Sequence, residues 1–472
     1  MRRLLSALAA LALPGTSAAA DRPNLVVLIA DDLGYGELSC QGGDIATPHI
    51  DSLAADGARF TAGYVTAPFC AASRAGLLTG RWQTRFGFEF NPIGARNMDP
   101  AIGLPPAERT LADSLRDAGY ATALVGKWHL GATAAYHPQR RGFDEFFGFL
   151  HEGHFYRPPP WSGTVTWLRR RALPDGSQGR WTSPDGRIIW STHLGSNEPD
   201  YDADNPLLRL SQPVAEPENL TTAFSREACS FIERHASQPF FLCLAFNAVH
   251  SPLQADDRYL ERFSHIEDVQ RRLFAAMLTH LDDGVGRVLN TLDETSLRAN
   301  TCVVFLSDNG GPTAELTSSN APLRGGKAEL WEGGIRVPFL IRWPAQIPAG
   351  QVLDTPILST DIAATARRWI RESDADRKIQ RDGLDLLPLL RDGTPLAERP
   401  LYWRVGKKAA LRRGPWKISR AAGKGSSQAW ALYNLEKDPA ETTDVSSSEP
   451  ALFTQMIDEW QRIDSQMIEP AW

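Results

Sequence analysis

Two places in the chain pair hard oxygen donors, Asp31-Asp32 and Asp308-Asn309. Neither has a histidine or a thiolate beside it, so a divalent ion held there would be Ca²⁺ or Mg²⁺ rather than zinc. Taken singly, Asp-Asp-Leu-Gly reads as a helix cap and Asp-Asn-Gly-Gly as a turn. Placed together at one edge of one sheet, they read as a metal site. Arg74, Lys127 and Lys327 follow or flank strand ends, and His129 and His250 join them. Three cations and two imidazoles beside a divalent metal make an electropositive pocket for an oxyanion, with the histidines available for proton transfer. Cys70 opens the run Cys70-Ala71-Ala72-Ser73-Arg74-Ala75-Gly76-Leu77-Leu78-Thr79-Gly80-Arg81. A thiol at the mouth of a turn, with an arginine one helical turn later, is a recipe for a reactive cysteine. His49, His235 and His280 read as structural histidines, and Asp282-Asp283 as a solvated or capping feature of its own helix.

These residues need a frame that gathers them. Four short apolar runs end abruptly in polar residues, as buried parallel strands do. Leu25 to Ala30 ends at Asp31-Asp32, and Ala121 to Gly126 ends at Lys127-Trp128-His129. Phe240 to Phe246 ends near Asn247 and His250, and Cys302 to Leu306 ends at Ser307-Asp308-Asn309. Helical patterns over Pro48 to Ala55, Leu111 to Ala118, Thr221 to Arg234 and Val269 to Leu292 lie between them. Alternating strands and helices predict an α/β fold with a large, mostly parallel sheet sandwiched by helices. Ligands of such sheets bind outside the carboxyl ends of the strands, where all four polar clusters fall.

Residues 151–218 break the pattern with Pro158-Pro159-Pro160, Trp161, Trp167, Trp181, Trp190 and the run Arg169-Arg170-Arg171. They read as an insertion, too aromatic for a linker. A boundary is expected after Ile357. Beyond it, short strand-like runs and a helix over Pro450 to Met467 predict a small C-terminal subdomain, 358–472, with a short antiparallel sheet. That leaves 21–357 as the catalytic domain.

Arg2 and Arg3, the apolar run 4–13 and Ser17-Ala18-Ala19-Ala20 make residues 1–20 a secretory signal peptide, too short for a membrane anchor. The expected location is therefore periplasmic or secreted, with no membrane anchor. A net charge of −6 argues against a nucleic-acid partner, because no excess of Lys and Arg is present to neutralise phosphates. Five cysteines without zinc-type spacing argue against a metal cluster or a disulfide framework. Cys243 and Cys302, inside apolar runs, are expected to be buried thiols.

Six ordered motifs carry a resemblance to a known family. They are Asp31-Asp32-Leu33-Gly34-Tyr35-Gly36, the Cys70 to Arg81 run, Gly126-Lys127-Trp128-His129-Leu130-Gly131, Asn247 with His250-Ser251-Pro252, Ser307-Asp308-Asn309-Gly310-Gly311, and Arg324-Gly325-Gly326-Lys327 leading to Glu332-Gly333-Gly334. The chain resembles the type I, formylglycine-dependent sulfatases of the alkaline phosphatase superfamily. Trp416-Lys417-Ile418 and Leu432-Tyr433-Asn434-Leu435 resemble that family's small domain. The resemblance implies that a maturation enzyme converts Cys70 to formylglycine. It implies Ca²⁺ bound by Asp31, Asp32, Asp308, Asn309 and an oxygen of the modified Cys70. Arg74 and Lys127 would hold the hydrated aldehyde, and His129 would act on its hydroxyl. His250 and Lys327 would bind the sulfate and assist the departing alcohol. One hydroxyl of the hydrate would attack sulfur, and loss of the second proton to His129 would expel sulfate and restore the aldehyde. Ala72 stands where proline is more usual in the family.

The implied activity is hydrolysis of sulfate esters, of a sulfated poly- or oligosaccharide rather than a small aryl ester. His154, Arg157, Trp161 and Trp167 in the insertion are the expected substrate-binding residues, rings stacking on sugar faces and arginines meeting further sulfates. The competing readings are an arylsulfatase, a phosphate or phosphonate ester hydrolase on the same fold, and an inactive binder of sulfated glycans.

Overall fold

The structure is a computed structural model of the chain and describes residues 22–370, 374–420 and 429–472. The expected signal peptide, 1–20, lies outside them. A ten-stranded sheet runs through the molecule in the order Gln212–Pro213, Leu208–Arg209, Glu145–Phe149, Ala121–Lys127, Phe240–Ala245, Asn24–Ala30, Thr301–Ser307, Phe339–Arg342, Ala58–Phe60, Gln351–Leu353. The five strands from Glu145–Phe149 to Thr301–Ser307 are parallel. Antiparallel pairing begins on either side of them. All four apolar runs expected to be parallel strands are among those five.

The middle strand shows how the sheet is buried on both faces. Alternate residues of a strand point to opposite sides. Val26, Leu28 and Ala30 enter one core with Phe224 and Phe231 of the helix Leu220–Arg234 and Leu273 and Leu281 of the helix Val269–Glu294. Leu25, Val27 and Ile29 enter the other with Ala71 and Leu78 of the helix Cys70–Thr79 and Leu111 and Leu115 of the helix Leu111–Asp117. Side-chain caps fix where the helices start: Asn219, Asp268 and a Thr110–Asp113 capping box. Asp282 corrects an expectation. It is buried and caps a different helix from its own, accepting the backbone N–H groups of His49 and Ile50 at 3.2 and 2.8 Å.

The insertion contributes three strands to a four-stranded sheet, Leu253–Asp256, Thr164–Arg169, Ile188–Ser191, Arg180–Thr182, whose first strand lies outside residues 151–218. Its last part, Leu208–Arg209 and Gln212–Pro213, extends the edge of the large sheet. The C-terminal antiparallel sheet, Leu401–Val405, Lys408–Arg413, Trp416–Arg420, Ala431–Asn434, is present with its helix Pro450–Asp464. The change of layer falls later than Ile357, however. Ile357–Leu358 pairs with Gly63–Tyr64, and Ile362, Ala363, Leu386 and Leu390 are buried in the same core as Ala71 and Leu78. The small sheet begins only at Leu401. All five cysteines are unpaired, with Cys243 and Cys302 buried as expected. No helix among the described residues is long and apolar enough to cross a membrane.

Candidate active site

Parallel register brings the polar strand ends together. Ala30 lies beside Ser307, and Ala245 beside Gly126, so Asp31, Asp308, Lys127 and Asn247 leave the sheet at one level. Gly126 makes the closest of these junctions, with φ +107 and a position where a Cβ would lie 1.9 Å from the Ala245 carbonyl oxygen. Asp32 and His129 adopt left-handed φ values of 64° and 62°. Such strain in non-glycine residues survives only where the surroundings fix it, and it clusters at functional sites. Cys70 enters from above the sheet as the first residue of its helix.

The side chains interleave by charge. Lys127 Nζ lies 2.6 Å from Asp31 Oδ2, and Lys327 Nζ 2.7 Å from Asp32 Oδ2. Arg74 donates to Asp308 Oδ2 through Nε at 2.9 Å and to the Lys127 carbonyl through Nη1 at 2.9 Å. Asn309 Nδ2 donates to Asp32 Oδ1 at 2.7 Å, and His250 Nε2 stands 3.6 Å from Asp32 Oδ2. Cys70 Sγ is 3.5 Å from Asp31 Oδ1. One ligand atom from each of Asp31, Asp32, Cys70 and Asp308 falls within 4.8 Å of the others. All ten predicted catalytic and metal residues thus meet in one place.

The donor set fits a hard divalent ion. Three buried carboxylates converge, and the Asn309 Oδ1 beside them is buried with no hydrogen-bond partner. Burial and the neighbouring Asp31 charge push the Asp308 carboxyl up to about 6. The carboxylates balance Arg74, Lys127 and Lys327 in number, so a divalent ion would leave the pocket positive and suited to an oxyanion.

Cys70 is not an activated thiol. Burial pushes its pKa well up, outweighing the pull of Lys127 and Lys327. A thiol held neutral is a poor nucleophile, which weighs against Cys70 acting as a thiolate. The histidine tautomers follow from carbonyl acceptors. His129 Nε2 donates to the Pro92 carbonyl at 2.9 Å, which leaves Nδ1 as a buried, unpartnered base. Burial and Lys127 hold its pKa well below the ordinary value. His250 Nδ1 donates to the Ser251 carbonyl at 2.7 Å, turning Nε2 toward Asp32 and Lys327. Burial and the Lys327 charge lower His250 to about 4.

The four expected substrate residues separate. Trp167 is fully buried among core side chains, with its ring against His193. It sits on the inward face of its strand and presents no ring to a sugar, which corrects that expectation. Arg157 is taken up by Asp256, at 3.2 and 3.3 Å. His154 pairs with Asp202 at 3.2 Å. Trp161 is half-buried, holds φ +58 and stacks on Phe155 with centroids 5.3 Å apart. Of the other rings, Trp181 and Trp190 lie against each other at 4.8 Å, with Arg170 over Trp190.

Sequence reasoning missed two residues around His250, Tyr201 and Glu315. The Tyr201 ring meets the His250 ring edge-on at 5.9 Å, and its hydroxyl lies 3.1 Å from Ser251 Oγ. Ser251 Oγ donates to Glu315 at 2.7 Å, and Arg169 pairs with Glu315 at 2.9 Å. Only tertiary pairing reveals these roles, since neither Tyr201 nor Glu315 belongs to a motif.

A family model described as Sulfatase matches residues 23–371. The mouse (Mus musculus) steryl-sulfatase is 35% identical over 422 residues, covering 80% of this chain and 66% of its own length. The pig (Sus scrofa) N-acetylgalactosamine-6-sulfatase is 35% identical over 417 residues, covering 85% of this chain and 72% of its own. The crystal structure of Ps i-CgsB in complex with k-i-k-neocarrahexaose superposes with a TM-score of 0.81 at 32% identity, covering 96% of this chain and 95% of that one. With the family match and this shared architecture, the chain belongs to the sulfatase family of sulfuric ester hydrolases.

Proposed function

We propose that the chain hydrolyses sulfate esters of a sulfated carbohydrate at the Cys70 site, with Cys70 converted to formylglycine by a maturation enzyme and Ca²⁺ bound beside it. The supporting observation is the alternation of three carboxylates and three cations around a buried cysteine that burial makes useless as a thiolate. Asp31, Asp32, Asp308, Asn309 and an oxygen on residue 70 would hold the ion, and Mg²⁺ meets the same donors. When bound, the ion would draw charge from the sulfate oxygens.

Arg74 and Lys127 orient residue 70, each fixed by its own carboxylate. His129 Nδ1 takes the proton from residue 70, because its other nitrogen is committed to Pro92. Lys327 stays charged beside Asp32 and offers its ammonium to the sulfate oxygens. His250 Nε2 faces the leaving alcohol and can give it a proton only as the imidazolium, the form that the Asp32 carboxylate favours. Glu315, Ser251 and Tyr201 fix the imidazole from behind.

The carbohydrate reading rests on a run of rings leading away from His250: Tyr201 at 5.9 Å, Phe155 a further 6.2 Å on, then Trp161 at 5.3 Å. A half-exposed tryptophan held in a strained backbone is a platform for a sugar face. A pig relative that carries N-acetylgalactosamine in its name and a neighbour crystallised with k-i-k-neocarrahexaose point the same way. Export to the periplasm or medium belongs to this reading.

The test is a panel of sulfated galactosides and galactosaminides beside an aryl sulfate and an aryl phosphate, run after peptide mass analysis of residue 70. Turnover of the glycans by aldehyde-bearing protein is expected. Activity confined to the aryl sulfate would reject the carbohydrate reading, and preference for the phosphate would reject sulfate chemistry. A retained thiol with binding but no turnover would leave a glycan-binding protein.

A further inference from the structure

Lys327 is the one cation of the site that comes from a long loop rather than from a strand end or helix. Its ammonium is placed by the backbone of residues 324–334. Its own N–H reaches the Gly311 carbonyl only at 3.5 Å. The next residue, Ala328, has φ +72, in the left-handed region that favours glycine. Two bonds hold it there. Its N–H donates to the Pro68 carbonyl at 2.9 Å, two residues before Cys70, and its carbonyl accepts from Lys408 Nζ at 2.8 Å.

Lys408 stands on the C-terminal sheet, in the strand Lys408–Arg413. It is half-buried and forms no ion pair among the described residues, so its ammonium is committed to that carbonyl. The same subdomain holds the far end of the loop. Glu441 accepts the Glu332 N–H at 2.6 Å, and Tyr433 packs against Trp331 at 5.8 Å. The loop is thus set between the Cys70 segment and the C-terminal sheet, with Lys408 as the contact nearest Lys327.

We propose that Lys408 is a positioning residue for Lys327. It locks Ala328 in the left-handed conformation and so fixes where the Lys327 ammonium meets the sulfate. This rests on the reading above that Lys327 binds the sulfuryl group. Because that group is common to every substrate, the effect of Lys408 must not depend on the alcohol that leaves.

The test compares Lys408→Met, Lys408→Arg and Lys408→Met with Ala328→Gly, using the exposed neighbour Lys407→Met as control. Each is assayed on an aryl sulfate and a sulfated sugar, and amide hydrogen exchange is followed over residues 324–331. Lys408→Met is expected to lower kcat/KM roughly ten- to a hundredfold, by the same factor on both substrates, because small misplacements of a catalytic group cost that much. Exchange in the loop should rise with it. Arginine, which still donates, should recover part of the rate. Glycine at 328 should restore the loop geometry and part of the rate, since it takes the φ value without strain. A loss seen only with the sugar would make Lys408 a substrate contact and overturn the proposal. Unchanged exchange and rate would overturn it too. If the parent protein turns over no sulfate ester, the functional reading fails, while the exchange measurement still decides whether Lys408 holds the loop.

Discussion

Two buried ionic clusters lie at either end of the loop that carries Lys327, and they are finished differently. In the cluster beneath the C-terminal sheet each carboxylate is ion-paired, and the one oxygen without a hydrogen bond, Glu441 Oε1, still meets the Lys417 ammonium. Lys417 Nζ sits 3.0 Å from Glu332 and 2.9 Å from Glu441, and Tyr64 donates to Glu332 at 2.5 Å. Arg412 and Arg336 complete the circle against Tyr64 and Glu332. The cluster at the strand ends is left open. Asn309 Oδ1, His129 Nδ1 and both side-chain polar atoms of Asn247 are buried without hydrogen-bond partners. Unpaired buried polar groups cost stability, so a fold retains them where a ligand completes them. One cluster is a joint and the other a site. Residue types alone do not separate them, since both mix carboxylates with cations.

That distinction breaks most visibly at Cys70. Cys70→Ala is expected to abolish turnover of any sulfate ester while leaving the melting transition in place, because the thiol faces the Asp31 and Asp32 carboxylates and belongs to none of the hydrophobic cores. Kinetics and calorimetry on the same sample check it. A large fall in stability would make Cys70 a core residue instead. The opposite pattern is expected at the joint. Lys417→Met strands two buried carboxylates and should cost about 3–5 kcal/mol of stability, measured by denaturant unfolding. A change below about 1 kcal/mol would show that the two carboxylates are met by other partners.

Metal addition sharpens the contrast. Calcium at a hundred times its dissociation constant is expected to stabilise the parent protein by about 2.7 kcal/mol, read as a rise in Tm. Asp308→Asn should lose that rise, whereas Lys417→Met should keep it. A calcium response that survives Asp308→Asn would remove Asp308 from the ligand set.

Most of the open cluster was legible in the sequence because four of its motifs end short apolar runs. A buried parallel strand announces itself by composition, and its end is where the polar residues begin. Asp31-Asp32, Lys127 and Asp308-Asn309 needed no more than that. The joint was less legible. Lys417 and Glu441 look like ordinary surface charges in sequence, and they are buried only because two sheets close over them. Lys408, Tyr201 and Glu315 act through partners more than 40 residues away. Trp167 was misread because an aromatic residue in an isolated strand looks the same on the inward face as on the outward one. The boundary at Ile357 was misplaced for a related reason. A two-residue strand and the alanine-rich helix Thr360–Arg367 carry little signal of the core they join.

The smallest expected effect lies within the joint and depends on pH. Burial raises the Glu441 carboxyl from 4.5 to about 7, against the pull of Lys417. Burial also opposes ionisation of Glu332, but Lys417 and Arg336 hold it down at about 2. The two shifts act in opposite directions on stability. Between about pH 4.5 and about pH 7 the folded chain keeps a proton on Glu441 that the unfolded chain has lost, so this residue makes stability fall as pH rises through that window. Glu332 contributes stability that is present above its unfolded value and is lost as pH drops toward about 2. Glu441→Gln removes the first contribution and keeps the second, since the amide oxygen still accepts from the Glu332 N–H while Lys417, facing the amide nitrogen instead of the second oxygen, keeps its pairing with Glu332. The decline of Tm from about pH 5 to about pH 7 should therefore become shallower in the variant, with the acid limb below about pH 4.5 unchanged. Parallel Tm–pH curves would mean that Glu441 titrates normally. The joint would then hold two carboxylates against one lysine only through the arginines around Tyr64.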